Sequence, residues 1–172
     1  MGGLPVSAEY LAGFFDGEGT VTIASKPSIE GRRYHYVSMR IGNTDRPVLE
    51  AIAETWGGTI FDDNGPARRL LGRKPVYVLV WGARAAQKPL EAMLPHLRLK
   101  HPQTLISLEF LRLTARSKTK YGRGKGYGGG TKPLPRREWG YRNYLQWLMH
   151  HYNGLSRSGD RPLKPAWGGS TA

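Results

Sequence analysis

The chain has 172 residues, with 26 Lys plus Arg against 13 Asp plus Glu and a formal net charge of +13. That balance points to a polyanionic partner, nucleic acid before an anionic membrane surface. The absence of cysteine excludes disulfides and thiolate metal sites, and 39% hydrophobic residues are enough for one folded core. No apolar run reaches spanning length, so no membrane partner is expected. No basic stretch leads into an apolar one at the N-terminus, so an intracellular protein without a signal peptide is expected, in a bacterial or phage cytoplasm or an organelle.

Met1 to Val6 reads as a loose leader. Ser7 is a good N-cap, and a helix is expected from about Ser7 to Asp16 with Leu11, Phe14 and Phe15 on its apolar side. Gly13 and Gly17 stand four apart and strip one helical face of side chains, which lets another helix approach closely. A glycine costs about 1 kcal/mol relative to Ala inside a helix, so the pair requires a reason. Asp16 and Glu18 fall at the C-terminal end, where the macrodipole is already negative and a carboxylate is unfavourable unless a cation arrives.

Thr20 to Lys26 alternates as a strand, Val21 and Ile23 inward and Thr20, Thr22, Ala24 and Lys26 outward. Pro27 to Gly31 is a loop, and Arg32 to Asn43 a longer strand. Val37, Met39 and Ile41 share one face of it, Tyr34, Tyr36, Ser38 and Arg40 the other. A sheet face of Arg, Lys, Tyr and Ser has the chemistry to read DNA, with Arg on guanine, hydroxyls on base edges and Lys on phosphates. A plain solvated face is the alternative.

Thr44 or Asp45 caps the next helix, with Pro47 in its first turn and Val48, Leu49, Ile52 and Trp56 as its stripe; Gly57-Gly58 ends it. Thr59 to Asp62 is a short strand, Asn64-Gly65-Pro66 starts a turn, and Pro75 to Trp81 is a further strand. A helix over Arg84 to Leu94 contains Pro89, and Leu97 to Lys100 connects to another from about His101 to Thr114. The order is αββαββα, an α+β fold with a four-stranded antiparallel sheet and helices gathered on one face. The core spans 1–114. Residues 115–135 form a basic, Gly-rich loop suited to a nucleic-acid backbone, 136–155 an aromatic-rich C-terminal helix that docks by those aromatics, and 156–172 a flexible tail.

Three residues carry candidate chemistry. Glu18 lies at the edge of the basic sheet face, and a hard oxygen ligand beside phosphate is how Mg²⁺ is usually held. Lys100 stands in the Leu-Arg-Leu-Lys connector. Asn43 ends its strand, where an Asx turn or cap is the plainer role. Histidine chemistry is disfavoured, because the adjacent His150 and His151 point to different helix faces. No nucleophile elbow or triad pattern is present.

Leu11-Ala12-Gly13-Phe14-Phe15-Asp16-Gly17-Glu18-Gly19 closely resembles the LAGLIDADG motif of homing endonucleases. Ile41-Gly42-Asn43-Thr44-Asp45, Leu97-Arg98-Leu99-Lys100 and the helix after it fit in order, so the resemblance spans roughly Ala8 to Leu113. It implies a saddle-shaped DNA-binding sheet and two motif helices packed at a central interface. One motif implies a homodimer, with Tyr10, Gly13 and Gly17 at the contact. It places the metal-binding carboxylate on Glu18 with the Gly17 carbonyl, the water-ordering residue on Asn43, the active-site lysine on Lys100 and a second basic residue on Arg46.

The reading is therefore a homodimeric, site-specific double-strand DNA endonuclease that depends on Mg²⁺ or another divalent cation such as Mn²⁺. Lys26, Arg32, Tyr34, Tyr36, Ser38, Arg40 and Lys74 are the expected DNA contacts. The alternative is an intron-RNA maturase, or a DNA-binding regulator that kept the fold and lost cleavage.

Overall fold

The computed structural model describes residues 5–27, 33–63, 65, 71, 72, 74–121 and 136–154. Expectations placed on residues 1–4, Arg32, Asn64, Pro66, the Gly-rich run from Gly122 and the tail from 156 lie outside the described residues.

Helix α1 spans Ala8–Glu18, capped by Ser7, whose hydroxyl accepts the Tyr10 N–H. Strands β1 (Gly19–Pro27) and β2 (Arg33–Asn43) follow, then α2 (Arg46–Trp56), β3 (Thr59–Asp62) and β4 (Tyr77–Gly82). Helix α3 (Gln87–Met93) lies between two short 3₁₀ turns, and α4 (His101–Tyr121) and α5 (Arg136–Tyr152) complete the described chain. This is the expected α+β order, and the strands form one antiparallel sheet in the order β1-β2-β4-β3.

The alternation in the strands settles which face is covered. Val21, Ile23, His35, Val37, Met39, Ile41, Leu79 and Trp81 are buried, and α1, α2, α4 and α5 all pack against strands on that side. Leu11 and Phe15 of α1, Leu49 and Ile52 of α2, Leu90 and Met93 of α3, and Phe110 of α4 fill the space between. A fully buried side chain of this size contributes roughly 1.5–3 kcal/mol, so α1 is held mainly by Leu11 and Phe15.

Asp45 proves to be the cap of α2, its carboxylate accepting the Val48 N–H. After α2 the chain reverses through Gly57 and Gly58, both at positive φ, and a Cβ on Gly58 would lie 2.7 Å from Leu79 Cδ1. Only glycine satisfies both demands.

Several boundaries differ from expectation; β1 gains a residue at each end, and β4 runs Tyr77–Gly82. α1 runs two residues further, through Glu18. Val6 is not loose: its N–H donates to Thr55 Oγ1 and its carbonyl accepts from Trp56 Nε1, tying the N-terminal segment to α2. The α-helix before Met93 begins at Gln87 rather than near Arg84, which places Pro89 in the first turn, where no N–H is needed. α4 continues to Tyr121, so the basic stretch from Ala115 to Tyr121 is helical backbone and not loop. That stretch contains neither Gly nor Pro, and Lys, Arg and Ala favour helix.

α5 does dock on the core, but chiefly through aliphatic side chains and amides. Leu145 and Met149 are buried, and Trp139 lies 5.1 Å from the His35 ring. Gln146 donates to the Ile23 carbonyl and Asn153 to the Val21 carbonyl, so the open edge of β1 is covered. Tyr144, Trp147 and His151 stack on one another along α5.

Candidate active site and DNA-facing sheet

α1 passes into β1 without a loop: Glu18 is the last helical residue and Gly19 the first of the strand. The Gly19 N–H still closes on the Phe15 carbonyl. A Cβ at Gly19 would lie 2.5 Å from Phe15 Cε2 and 2.6 Å from Cγ, and the Phe15 ring is fully buried. The strand therefore leaves directly over that ring, which only a residue without a side chain permits, and Glu18 is left exposed beside it.

Asp16 faces the other way. Its Oδ2 accepts the N–H groups of Arg98 at 2.7 Å and Leu99 at 3.1 Å, and its Oδ1 accepts that of Lys100 at 2.9 Å. The Lys100 ammonium donates to the Asp16 backbone carbonyl and lies 5.9 Å from the centre of the Phe15 ring. The Lys100 carbonyl in turn accepts the Thr104 N–H that opens α4. The negative end of α1 thus meets the positive end of α4, and the carboxylate that is unfavourable at a helix C-terminus finds its donors there. Burial works to raise the Asp16 carboxyl pKa. The three N–H donors, with the Lys100 charge, outweigh it and hold the group below its ordinary value.

Asn43 lies two residues beyond the Gly19–Ile41 pair, at the sheet end where α1 enters, and pairs across to Tyr77. Its side-chain oxygen accepts the Asp45 N–H at 2.8 Å, an Asx turn leading into the α2 cap. Arg46 turns to Glu50 at 2.7 Å and over the Tyr77 ring at 5.5 Å. With Lys74, Thr44 and Pro75 it lines a shallow cleft of ≈ 490 Å³ at that end. Glu18 and Lys100 are brought to one helix end; Asn43 shares that end of the sheet, and Arg46 stands with Lys74 in the cleft.

No described element covers the outer face of the sheet. Thr20, Arg40, Val80 and Thr59 align across the four strands, and Thr22, Ser38 and Gly82 across three. Lys26 pairs with Tyr34 across the strands, and its ammonium lies over the Tyr36 ring at 5.4 Å. Lys26 and Arg40 are exposed, and the tyrosines and Ser38 half-buried. The β3–β4 half is apolar: Val78 and Val80 stand beside Phe61, which is 55% exposed. Sequence reasoning concentrated on the polar strands and missed this half, although Val78 and Val80 alternate with the inward Leu79 and Trp81.

On α1, Gly13 and Gly17 are exposed, with no atom within 4 Å of where a Cβ would sit, and Tyr10 beside them is 50% exposed. Among the described residues nothing covers the stripe.

No protein-family model and no curated protein sequence matches the chain. Solved structures do. The homing endonuclease I-CvuI in complex with its target superposes at a TM-score of 0.63 with 19% identity, over 90% of this chain and 84% of that one. The archaeal intron-encoded homing endonuclease I-Vdi141I, complexed with DNA, matches at 0.62 with 19% identity, over 91% and 88%. The LAGLIDADG homing endonuclease I-GzeII, in complex with a DNA target, matches at 0.58 with 14% identity, over 84% of this chain and 45% of that one. The chain has the LAGLIDADG homing-endonuclease fold.

In this LAGLIDADG fold the motif is α1 and its turn into β1, and the oxygen donors at its end have the chemistry of a hard-cation site. They are the Glu18 carboxylate and the Gly17 carbonyl, one of the last four of a helix, which lack intrahelical donors. Among the described residues no three His, Cys, Asp or Glu side chains converge. Mg²⁺ is commonly held by one or two carboxylates with substrate phosphate and water completing the shell. No described helix is long and apolar enough to cross a membrane.

Proposed function

We propose that the chain is a homodimeric, site-specific endonuclease that hydrolyses both strands of DNA with Mg²⁺ or Mn²⁺. The observation that supports this most is the end of α1. Glu18, an exposed carboxylate, is its last residue, and the Lys100 ammonium donates to the Asp16 carbonyl two residues earlier. The sheet face that no described element covers carries Lys26, Arg40 and hydroxyls. Glu18 and the Gly17 carbonyl would hold the metal ion, which when bound polarises a phosphoryl oxygen and lowers the pKa of water. Lys100, held at the same helix end, would supply a cation where charge develops on the phosphate. Asn43, fixed by its Asx turn, orients water at the same sheet end. Arg46 is held by an exposed ion pair of the kind worth about 0–1 kcal/mol, which leaves it free to turn to a phosphate with Lys74.

The sheet face binds the duplex, Tyr34, Tyr36, Ser38 and Arg40 at base edges and Lys26 at phosphates. Two copies pack through Tyr10, Gly13 and Gly17, which brings two Glu18 side chains to the dimer axis. The Glu18→Gln variant, assayed on a DNA library with Mg²⁺, should bind as the wild type does and not cut. Normal cutting by that variant would sink the assignment of Glu18. Wild-type protein that binds DNA and cuts in neither metal would overturn the enzyme and leave a binding module, with intron RNA as the next ligand to try.

A further inference from the structure

We propose that Asp16 is a positioning residue for the Lys100 ammonium; this rests on the endonuclease reading. The Asp16 carboxylate takes three consecutive backbone N–H groups from residues 82 to 84 positions away in sequence. Successive N–H groups converging on one anion form a concave nest, and a carboxylate with three such donors fixes its direction as well as its distance. Neither helix depends on this contact for its place. α1 is anchored by Leu11, Ala12 and Phe15, and α4 by Thr104, Ile106, Ser107, Phe110 and Leu111.

Between those anchors the Leu97–Lys100 connector has one buried side chain, Leu97, while Arg98 and Leu99 are exposed. The carboxylate supplies what the connector's own side chains do not. A lysine is a flexible four-carbon stem, so its ammonium is placed only as well as its backbone is. Here that backbone is clamped to the residue two before Glu18, and the ammonium is set on that residue's carbonyl. Asp16 touches neither phosphate nor metal in this scheme and acts through Lys100.

The test compares wild type, Asp16→Asn, Lys100→Met and the double variant by single-turnover cleavage with saturating DNA in Mg²⁺, and by DNA affinity without metal. Asp16→Asn should cut on the order of tenfold to a hundredfold more slowly, the usual consequence of a slightly misplaced group, with affinity within about twofold of wild type, since Asp16 makes no phosphate contact. The double variant should cut no more slowly than Lys100→Met alone. Losses that multiply, or a wild-type rate in Asp16→Asn, overturn the proposal. Asp16→Glu keeps the charge and should fall between; if Asp16→Asn does not fold, Asp16→Glu carries the same cycle. Amide hydrogen exchange separates the two readings. Wild type that never cuts defeats the endonuclease, whereas unchanged exchange at Arg98, Leu99 and Lys100 in Asp16→Asn defeats the clamp.

Discussion

Two glycines of the motif, Gly19 and Gly13, should respond to alanine in opposite ways. At Gly19 a methyl would run into Phe15 Cδ2 and sit 2.5 Å from Cε2 and 2.6 Å from Cγ, about 1 Å or more inside ordinary carbon contact. The backbone there, at φ −85 and ψ 160, suits any residue, so the whole penalty is steric. Either the ring gives way or the first pair of β1 shifts. Overpacking of this kind costs about 1–3 kcal/mol, and displacing the ring altogether would approach the roughly 3–5 kcal/mol of a Phe→Ala change. Gly19→Ala should therefore lose about 3 kcal/mol, a fall in Tm of about 6–12 °C for a chain of this size. At Gly13 nothing lies within 4 Å of the added methyl, so Gly13→Ala should gain up to about 1 kcal/mol of helix propensity in the isolated chain. Thermal unfolding at concentrations where the monomer dominates reads the intrinsic terms, because association adds its own stability. Sedimentation should show Gly13→Ala dissociating more readily, since its methyl would stand in the proposed contact. A Gly19→Ala protein within about 0.5 kcal/mol of wild type, the range of changes at featureless surface sites, would show that the strand does not leave over Phe15.

On the sheet, Arg40→Ala should lower the slope of log affinity against log salt by about 0.9, one released counterion. Phe61→Ser should weaken binding with the slope unchanged; fluorescence polarisation across salt concentrations checks both, and an unaltered slope in Arg40→Ala excludes it as a phosphate contact. Glu109 is held below its ordinary value first by hydrogen bonds from Arg112, against burial, with Tyr141 of α5 adding a bond. A depressed carboxyl stabilises the fold above its ordinary pKa of 4.5 and loses that contribution as pH falls through the folded value. Urea midpoints should therefore drop in acid for wild type and drop less for Glu109→Gln; identical curves would dissociate that cluster from stability.

Much of the fold was legible because its signals are local. Ser7 and Asp45 cap the helices they precede, and the alternation at Val21–Ile23 and Val37–Met39–Ile41 gives the buried face directly. The motif residues also pointed to the end of α1. What escaped was long in range or misread by composition. No local pattern announces that Val6 bonds Thr55 and Trp56, or that Asp16 bonds the connector before α4. The basic run from Ala115 reads as loop if charge is weighed, and as helix if the absence of Gly and Pro is. Nor does any local pattern announce the requirement for Gly19, which comes from the Phe15 ring beneath it.

The end of α1 also explains how two carboxylates two residues apart avoid competing. At about 100° per residue they project nearly 200° apart around the axis, so they cannot share an environment. Asp16 takes the inner direction, where the connector leading into α4 supplies three N–H donors and leaves no need for a metal ion. Glu18 takes the outer one, exposed at the last helical position before an edge strand that cannot bend away, because Gly19 is pressed on Phe15. The unfavourable charge at a helix C-terminus is thus met in two ways, by the backbone N–H groups of the connector for one residue and by whatever cation solvent or substrate brings for the other. Exchanging the two residues, Asp16→Glu with Glu18→Asp, would keep every charge and still put a longer side chain against the three N–H groups that the Asp16 carboxylate now meets at 2.7, 2.9 and 3.1 Å.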